Sequence, residues 1–305
     1  MSEEDLFVTL PSGCRICYRV TGEIGNGTPI LVISGGQTAM TQTTVGLVEL
    51  LASSPPDHPH CVVTFDSRDT GLSTSFPAPP DGEVPYTLDN MVDDVLGLIA
   101  HLKLERVHLV GLSMGGPIAW LTAGRLPEVV RSLALIFTSP VGRMQTAADK
   151  LPPPHREGTY LLVDAYDIPD DVDDHNGWID LYTRLALALA TQPSTEEEKA
   201  EKRRESEVTY RREKKSGTMA TKANHSAAGG VRWPREALAM VKAPTVVIHA
   251  AKDQFFPLAH AEALRDGVDG ATLVVVEDCG HELPVRVRPL IADAILENAR
   301  KGETR

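Results

Sequence analysis

The chain has 305 residues, 42% of them hydrophobic, with 30 Lys+Arg against 42 Asp+Glu and a formal charge of -12. A chain of this length and composition buries a sizeable core, which excludes a disulfide-stapled miniprotein, a collagen and a disordered segment. The acidic balance repels DNA, RNA and anionic membrane, no uninterrupted basic patch offsets it, and aromatics are sparse at 5%, so neither nucleic acid nor membrane is an expected partner.

From the amino end, MSEEDLFVTL has no basic region and no apolar run of the signal-peptide kind, so a cytoplasmic location is expected. Leu6–Leu10 and Arg15–Val20 flank Pro11-Ser12-Gly13, a turn signal, and predict an antiparallel hairpin. Cys14 and Cys17 form a CxxC with no second pair, so a zinc site is not expected. On a strand, residues three apart point to opposite faces, and both read as half-buried strand cysteines. Pro29–Ser34 and Cys61–Asp66 are short runs, apolar on both faces, that suit buried parallel strands.

Strands and helices then alternate. Thr87 caps a predicted helix over 88–102, with Met91, Val95, Leu98, Ile99 and Leu102 at helical spacing. A strand at 106–112, a helix at 116–125 and a strand at 130–138 follow. Beyond a long insertion come a strand at 245–250, a helix at 258–266, a strand at 271–277 and a helix at 285–299. This order predicts an α/β fold with a mainly parallel central sheet and helices on both faces. The most apolar stretch, Val107 to Ala123, is interrupted by Gly111, Gly115, Gly116 and Pro117 and is no membrane span.

The insertion differs in texture. It is expected to form a helical cap over 141–235, set on a core domain made of 1–140 and 236–305. Its charged run from Glu196 to Lys215 offers the helix pairs Glu198/Lys202 and Glu207/Arg211 and reads as a solvated helix face. The aspartates around His175 lack the Gly and Glu spacing of a calcium loop, so no metal is expected there. Trp178, Trp233, Tyr160, Tyr166, Tyr182 and Tyr210 all fall in this segment.

The chemistry centres on Gly111-Leu112-Ser113-Met114-Gly115-Gly116. A GxSxG pattern recurs by chance, but here it joins the strand VHLVG to the helix PIAWLTAGR. That is the context of a nucleophile elbow, where a serine sits on a tight turn and its neighbours two away lack side chains so that strand and helix can pass. A serine needs a base, and the base needs an orienting acid. His281 lies in Asp278-Cys279-Gly280-His281-Glu282, past the last strand. Asp253 lies past the strand TVVIHA. All three stand at carboxyl ends of predicted parallel strands, where open α/β sheets place their sites. Asp278 competes with Asp253 but leads into the His281 loop itself. An oxyanion needs two N–H donors, expected from Met114 and from Gly36, with Gln37 as the alternative to Gly36. Arg68, in the loop Asp66-Ser67-Arg68-Asp69-Thr70-Gly71-Leu72-Ser73, is expected to pair with a carboxylate such as Asp94. Gln37, Phe137, Trp178, Trp233 and Phe255 are the candidate pocket residues.

With SGG at 34–36, DSRDTGLS at 66–73, GLSMGG at 111–116, AAKDQFFP at 250–257 and DCGHELP at 278–284, the chain resembles the α/β-hydrolase superfamily over nearly its whole length. The GG loop with DSRDTGLS looks most like the aclacinomycin methylesterase branch, which hydrolyses esters on polyketides. Esterases that open macrolide lactones look similar. The resemblance implies Ser113 as nucleophile, Asp253 as acid, His281 as base, and Gly36 with Met114 as the oxyanion hole. Ser34 stands where many members have His before Gly. The implied function is a serine esterase or lactonase acting on a small-molecule ester of bulky, natural-product type, without metal or organic cofactor. A prolyl aminopeptidase, a C–C bond hydrolase and a non-catalytic ligand-binding member of the fold remain alternatives. Haloalkane dehalogenases and epoxide hydrolases use Asp as nucleophile, which Ser113 disfavours. Monomer and homodimer both stay open.

Overall fold

The computed structural model describes residues 4–53, 60–77, 85–142, 146–165, 167–230 and 233–304, so Tyr166 lies outside the described residues. One eight-stranded sheet runs through it in the order β1-β2-β4-β3-β5-β6-β7-β8. The strands are β1 (Leu6–Thr9), β2 (Arg15–Thr21), β3 (Ile30–Ile33), β4 (Val62–Phe65), β5 (Val107–Leu112), β6 (Val130–Ile136), β7 (Thr245–Ala250) and β8 (Thr272–Val276). The β1–β2 hairpin pairs antiparallel, with Leu6 opposite Tyr18, and β2 pairs antiparallel with β4. Every other pairing is parallel.

The central strands are buried on both faces, which is why they read as unbroken apolar runs. Along β3, Leu31 and Ile33 belong to one core layer, Ile30 and Val32 to the other. The first layer is closed by α2 (Leu88–His101), α3 (Gly115–Arg125) and α8 (Leu258–Gly267), through Val95, Ile118 and Leu264. The second is closed by α1 (Val45–Ser53) and α9 (Arg288–Glu303), through Leu51 and Ile291. Thr87 caps α2 with a reciprocal capping box to Asn90. The sequence pattern did not predict α1, whose nine residues carry no acidic first turn and no basic last turn. The last helix also begins later than expected, at Arg288, and runs on to Glu303.

Between β6 and β7 the described residues form helices and no strand: α4 (Glu157–Asp164), α5 (His175–Leu187), α6 (Glu196–Ser216) and α7 (Asn224–Ala228). Ile179, Leu181, Tyr182 and Tyr210 make a small core of their own, with Trp178 and Leu185 packed against it.

The charged helix α6 corrects the expectation of a solvated face. Thr195 and Glu198 close a capping box at its start, so Glu198 faces its own cap while Lys202 donates to Glu205 at 2.8 Å. Glu207 and Arg211 do pair on the exposed side. The other side is buried because its charges meet partners. Arg212 donates to Asp66 Oδ2 at 2.6 Å and also pairs with Asp5. Glu213 accepts from Tyr182 Oη at 2.6 Å and from Lys222 Nζ at 2.9 Å.

The four cysteines are free thiols, and Cys14 and Cys17 are fully buried rather than half-buried. Cys14 joins the first core layer, while Arg212 lies against the Cys17 sulfur at 3.5 Å. Arg68 pairs with Asp94 through two 2.7 Å hydrogen bonds, as expected for a structural loop. No helix among the described residues is long and apolar enough to cross a membrane.

Candidate active site

Ser113 follows β5, Asp253 follows β7 and His281 follows β8, so three strand ends deliver three side chains to one edge of the sheet. Ser113 Oγ lies 3.0 Å from His281 Nε2, and His281 Nδ1 lies 3.0 Å from Asp253 Oδ2. The other Asp253 oxygen accepts from the N–H groups of Phe255 and Phe256 at 2.8 and 2.9 Å. Burial works against the Asp253 charge, but the His281 ring and those two N–H groups outweigh it and hold the carboxyl below the usual carboxylate range. An ionised Asp253 against Nδ1 places the imidazole proton there and leaves Nε2 free to accept from the Ser113 hydroxyl. Asp278 is exposed and pairs with Lys252 at 2.6 Å, away from the imidazole.

The turn at Ser113 is a matter of space. Its φ is +50°, in the left-handed region. A β-carbon on Gly111 would sit 2.4 Å from the Gly115 carbonyl oxygen, and one on Gly115 would sit 2.2 Å from the Ile33 oxygen. Strand and helix therefore pass each other only as glycines. The serine itself is pinned by its N–H to Ile136 O at 2.9 Å and by Thr138 Oγ1 donating to Ser113 O at 2.7 Å. Gln37, Asp69, Ser113, Phe137 and Asp278 share positive φ values, one after each of β3, β4, β5, β6 and β8. Backbone strain is thus concentrated on the edge that carries the site.

Gly36 lies against Met114: a β-carbon there would meet the Met114 sulfur at 3.4 Å. Among the described residues, neither the Gly36 nor the Met114 N–H has a protein acceptor. Gln37 differs. Its N–H donates to His225 Nδ1 at 2.8 Å, so it is not available as the alternative oxyanion donor.

A cavity of about 600 Å³ opens over Ser113 and His281. Gln37, Phe137 and Phe255 line it, together with Leu162, Leu185 and Leu189 of the inserted segment. Lys202, Glu205 and Lys222 put charge on its wall. Phe255 packs edge-on against the His281 ring at 4.8 Å, and Phe256 and Phe137 flank the same ring. Trp178 and Trp233, expected in the pocket, are not among its lining residues. Trp178 packs on Tyr182 and donates to Asp171 O, while Trp233 is buried in the core and donates to Gly229 O. Both indoles serve packing, because each N–H finds a backbone partner inside the inserted segment.

Two residues at the site were not singled out from the sequence. Gln254 accepts from the His281 N–H at 2.9 Å and donates to Leu189 O at 2.9 Å, tying the His281 loop to the inserted segment. It stands beside Asp253 in AAKDQFFP. His225 carried no sequence signal at all. Its segment has no clear period, and its side-chain hydrogen-bond partners, Gln37 and Arg68, lie more than 150 residues away.

A family profile describing the alpha/beta hydrolase fold matches residues 27–285. The chain belongs to the alpha/beta hydrolase family. Among relatives of this hydrolase, rhodomycin D methylesterase DauP of Streptomyces sp. (strain C5) is 26% identical over 297 residues, covering 89% of this chain and 91% of that protein. The 2-hydroxymuconate semialdehyde hydrolase of Pseudomonas sp. (strain CF600) is 27% identical over 281 residues, covering 90% and 88%. Among solved structures, the enol-lactonase from Burkholderia xenovorans LB400 superposes with a TM-score of 0.70 at 21% identity, covering 97% of this hydrolase and all of that chain. That likeness shows a shared fold.

Proposed function

We propose that this hydrolase cleaves a carboxylic ester or lactone through an acyl-enzyme on Ser113. The observation that carries the reading is the unbroken line of hydrogen bonds from Ser113 Oγ through His281 to Asp253, at 3.0 Å each, on the floor of a large cavity. As Oγ attacks the ester carbonyl carbon, His281 Nε2 takes its proton and Asp253 stabilises the imidazolium. The tetrahedral oxyanion is received by the Gly36 and Met114 N–H groups, which have no other acceptor among the described residues. His281 then returns the proton to the leaving alcohol. Water, deprotonated by the same imidazole, releases the acid. The residues in this scheme need no metal or organic cofactor.

The segment 141–235 acts as a cap that shapes the substrate site. A cavity near 600 Å³, apolar on most walls, suits a bulky ester. The rhodomycin D methylesterase relative supports an ester on a bulky natural product. Three acids in the cavity wall bear on the aminopeptidase alternative: Glu198 closes the α6 capping box and Glu282 accepts from Thr191, while Glu205 accepts from Lys202 through one oxygen and its other oxygen has no partner among the described residues, which keeps Glu205 as the carboxylate that alternative would use. The C–C hydrolase reading keeps the support of the semialdehyde hydrolase relative.

The reading is tested by pH-stat turnover of methyl esters and lactones on bulky aromatic scaffolds, beside a vinylogous diketone and a proline naphthylamide. Acid release from the esters that disappears in Ser113→Ala is the expected result. Turnover confined to the diketone or the amide, or full esterase activity in Ser113→Ala, overturns it.

A further inference from the structure

The loop that offers the Gly36 donor begins with two glycines, Gly35 and Gly36, which have wide conformational freedom of their own. Within the loop, Thr38 Oγ1 donates to Gly36 O at 3.1 Å, and the remaining restraint comes from outside it. The first residue held firmly after them is Gln37, itself at φ +59°. Two neighbouring residues of α7 hold it. His225 Nδ1 accepts the Gln37 backbone N–H at 2.8 Å, and Ser226 Oγ accepts from Gln37 Nε2 at 2.9 Å. On the far side of its ring, His225 Nε2 lies 2.6 Å from Arg68 O.

These contacts fix the tautomer. A carbonyl oxygen only accepts, so Nε2 must carry a proton. A backbone N–H only donates, so Nδ1 must be bare. His225 is therefore a neutral imidazole wedged between two loops at the carboxyl edge of the sheet. Burial, with the Arg68 charge nearby, pushes its pKa down, although the Arg68 carbonyl and Asp69 pull the other way. An imidazolium here would set N–H against N–H.

We propose that His225 is a positioning residue for the oxyanion donor: by holding the Gln37 N–H, it fixes the peptide that follows Gly36 and so narrows the Gly36 torsions through which the Gly36 N–H, on the preceding peptide, could turn away from the substrate carbonyl. The inference rests on Gly36 acting as that donor. It gives the inserted segment a part in the rate, beyond forming the cavity wall.

The two ring nitrogens can be replaced separately. In His225→Asn, the amide oxygen stands near the place of Nδ1 and keeps the acceptor for Gln37 while the donor to Arg68 is lost. In His225→Gln, the amide nitrogen stands near the place of Nε2 and keeps the Arg68 contact while the Gln37 acceptor is lost. The measurement is kcat and KM on an ester that the wild-type protein turns over, with thermal melting of each variant and Ser113→Ala as reference. Loss of one oxyanion donor lowers kcat about 10²–10³-fold, so a misaimed donor in His225→Gln is expected to lower kcat about 10–100-fold with KM within about threefold. His225→Asn is expected to retain kcat within about threefold of wild type. Ser226→Ala, which removes only the side-chain grip on Gln37, should lower kcat about two- to fivefold and stay folded.

Wild-type kcat in His225→Gln, or equal kcat losses in both His225 variants, overturns the proposal while leaving the Ser113 mechanism standing. If neither His225 variant folds, the Ser226→Ala ratio decides, and an unchanged kcat there overturns it. Activity that survives Ser113→Ala overturns the underlying ester reading instead.

Discussion

The sheet and the inserted segment are held by different forces. The sheet is locked by two apolar layers whose members, from Leu31 to Leu264 and from Ile30 to Ile295, are almost wholly buried. Among the described residues, the inserted segment has a core of its own of four buried apolar residues, sends Ala228 and Trp233 into the first layer, and is otherwise tied down through buried polar groups. Arg212 reaches Asp66, Thr209 meets Thr41, Asn224 donates to Asp69, and Arg288 of the core reaches up to Glu201. Apolar packing tolerates a shape change nearby, whereas a buried charge must find its exact partner or remain unsatisfied. The difference teaches where selection has room: the sheet edge keeps fixed chemistry, and the segment above it is seated by directional contacts that set a single geometry for the cavity.

The sharpest break of that contrast lies at the sheet edge. Ser113→Ala should lower kcat by at least about 10³-fold and leave the melting temperature nearly unchanged, as read by steady-state kinetics and calorimetry. A large stability loss would mean that Ser113 serves the fold. Next, Arg212→Met removes the partner of a fully buried Asp66 and should cost about 3–5 kcal/mol in denaturant titration, with the loss confined to the seating of the inserted segment in hydrogen exchange. Leu109→Ala, in the first apolar layer, should cost about 2–5 kcal/mol, with its exchange signature spread over the sheet. Equal exchange patterns in the two variants would erase the distinction.

The core also holds a pH-sensitive group. Burial pushes the His108 imidazole from 6.5 down to about 4, against the pull of Glu303. Its folded value lies below its unfolded one, so its contribution is fully present above pH 6.5 and is lost as pH falls from there towards 4. That loss is at most about 3 kcal/mol. Melting temperature should fall across this window, and His108→Gln should flatten the decline. A melting temperature that rises on acidification would contradict the sign. The smallest effect belongs to the solvent side of α6: Arg211→Ala breaks an exposed pair with Glu207 and should change stability by less than about 0.5 kcal/mol.

What the sequence made legible follows the range of the contacts. The elbow was readable because Gly111, Ser113 and Gly115 answer to sterics within one turn, and β7 because all six of its residues are buried. Asp253 and His281 were readable from their places after strands. The short helix α1 was missed because its nine residues carry no charge in the first or last turn. The buried face of α6 was misread because Arg212 finds Asp66 across 146 positions, and charge pattern within a helix says nothing about such a partner. Trp178 and Trp233 were expected in the cavity on composition alone, yet each indole N–H is satisfied by a carbonyl a few residues away. The His225–Gln37 contact spans 188 positions and was equally invisible.

The most direct test of the central claim is covalent. The purified protein is treated with a small fluorophosphonate, its intact mass is measured, and the adduct is mapped by peptide digestion. One adduct on Ser113, absent from His281→Ala, is the expected result and means that His281 activates this serine in the folded protein. A folded sample with no adduct, or an adduct on Ser113 that forms equally fast in His281→Ala, would contradict the mechanism.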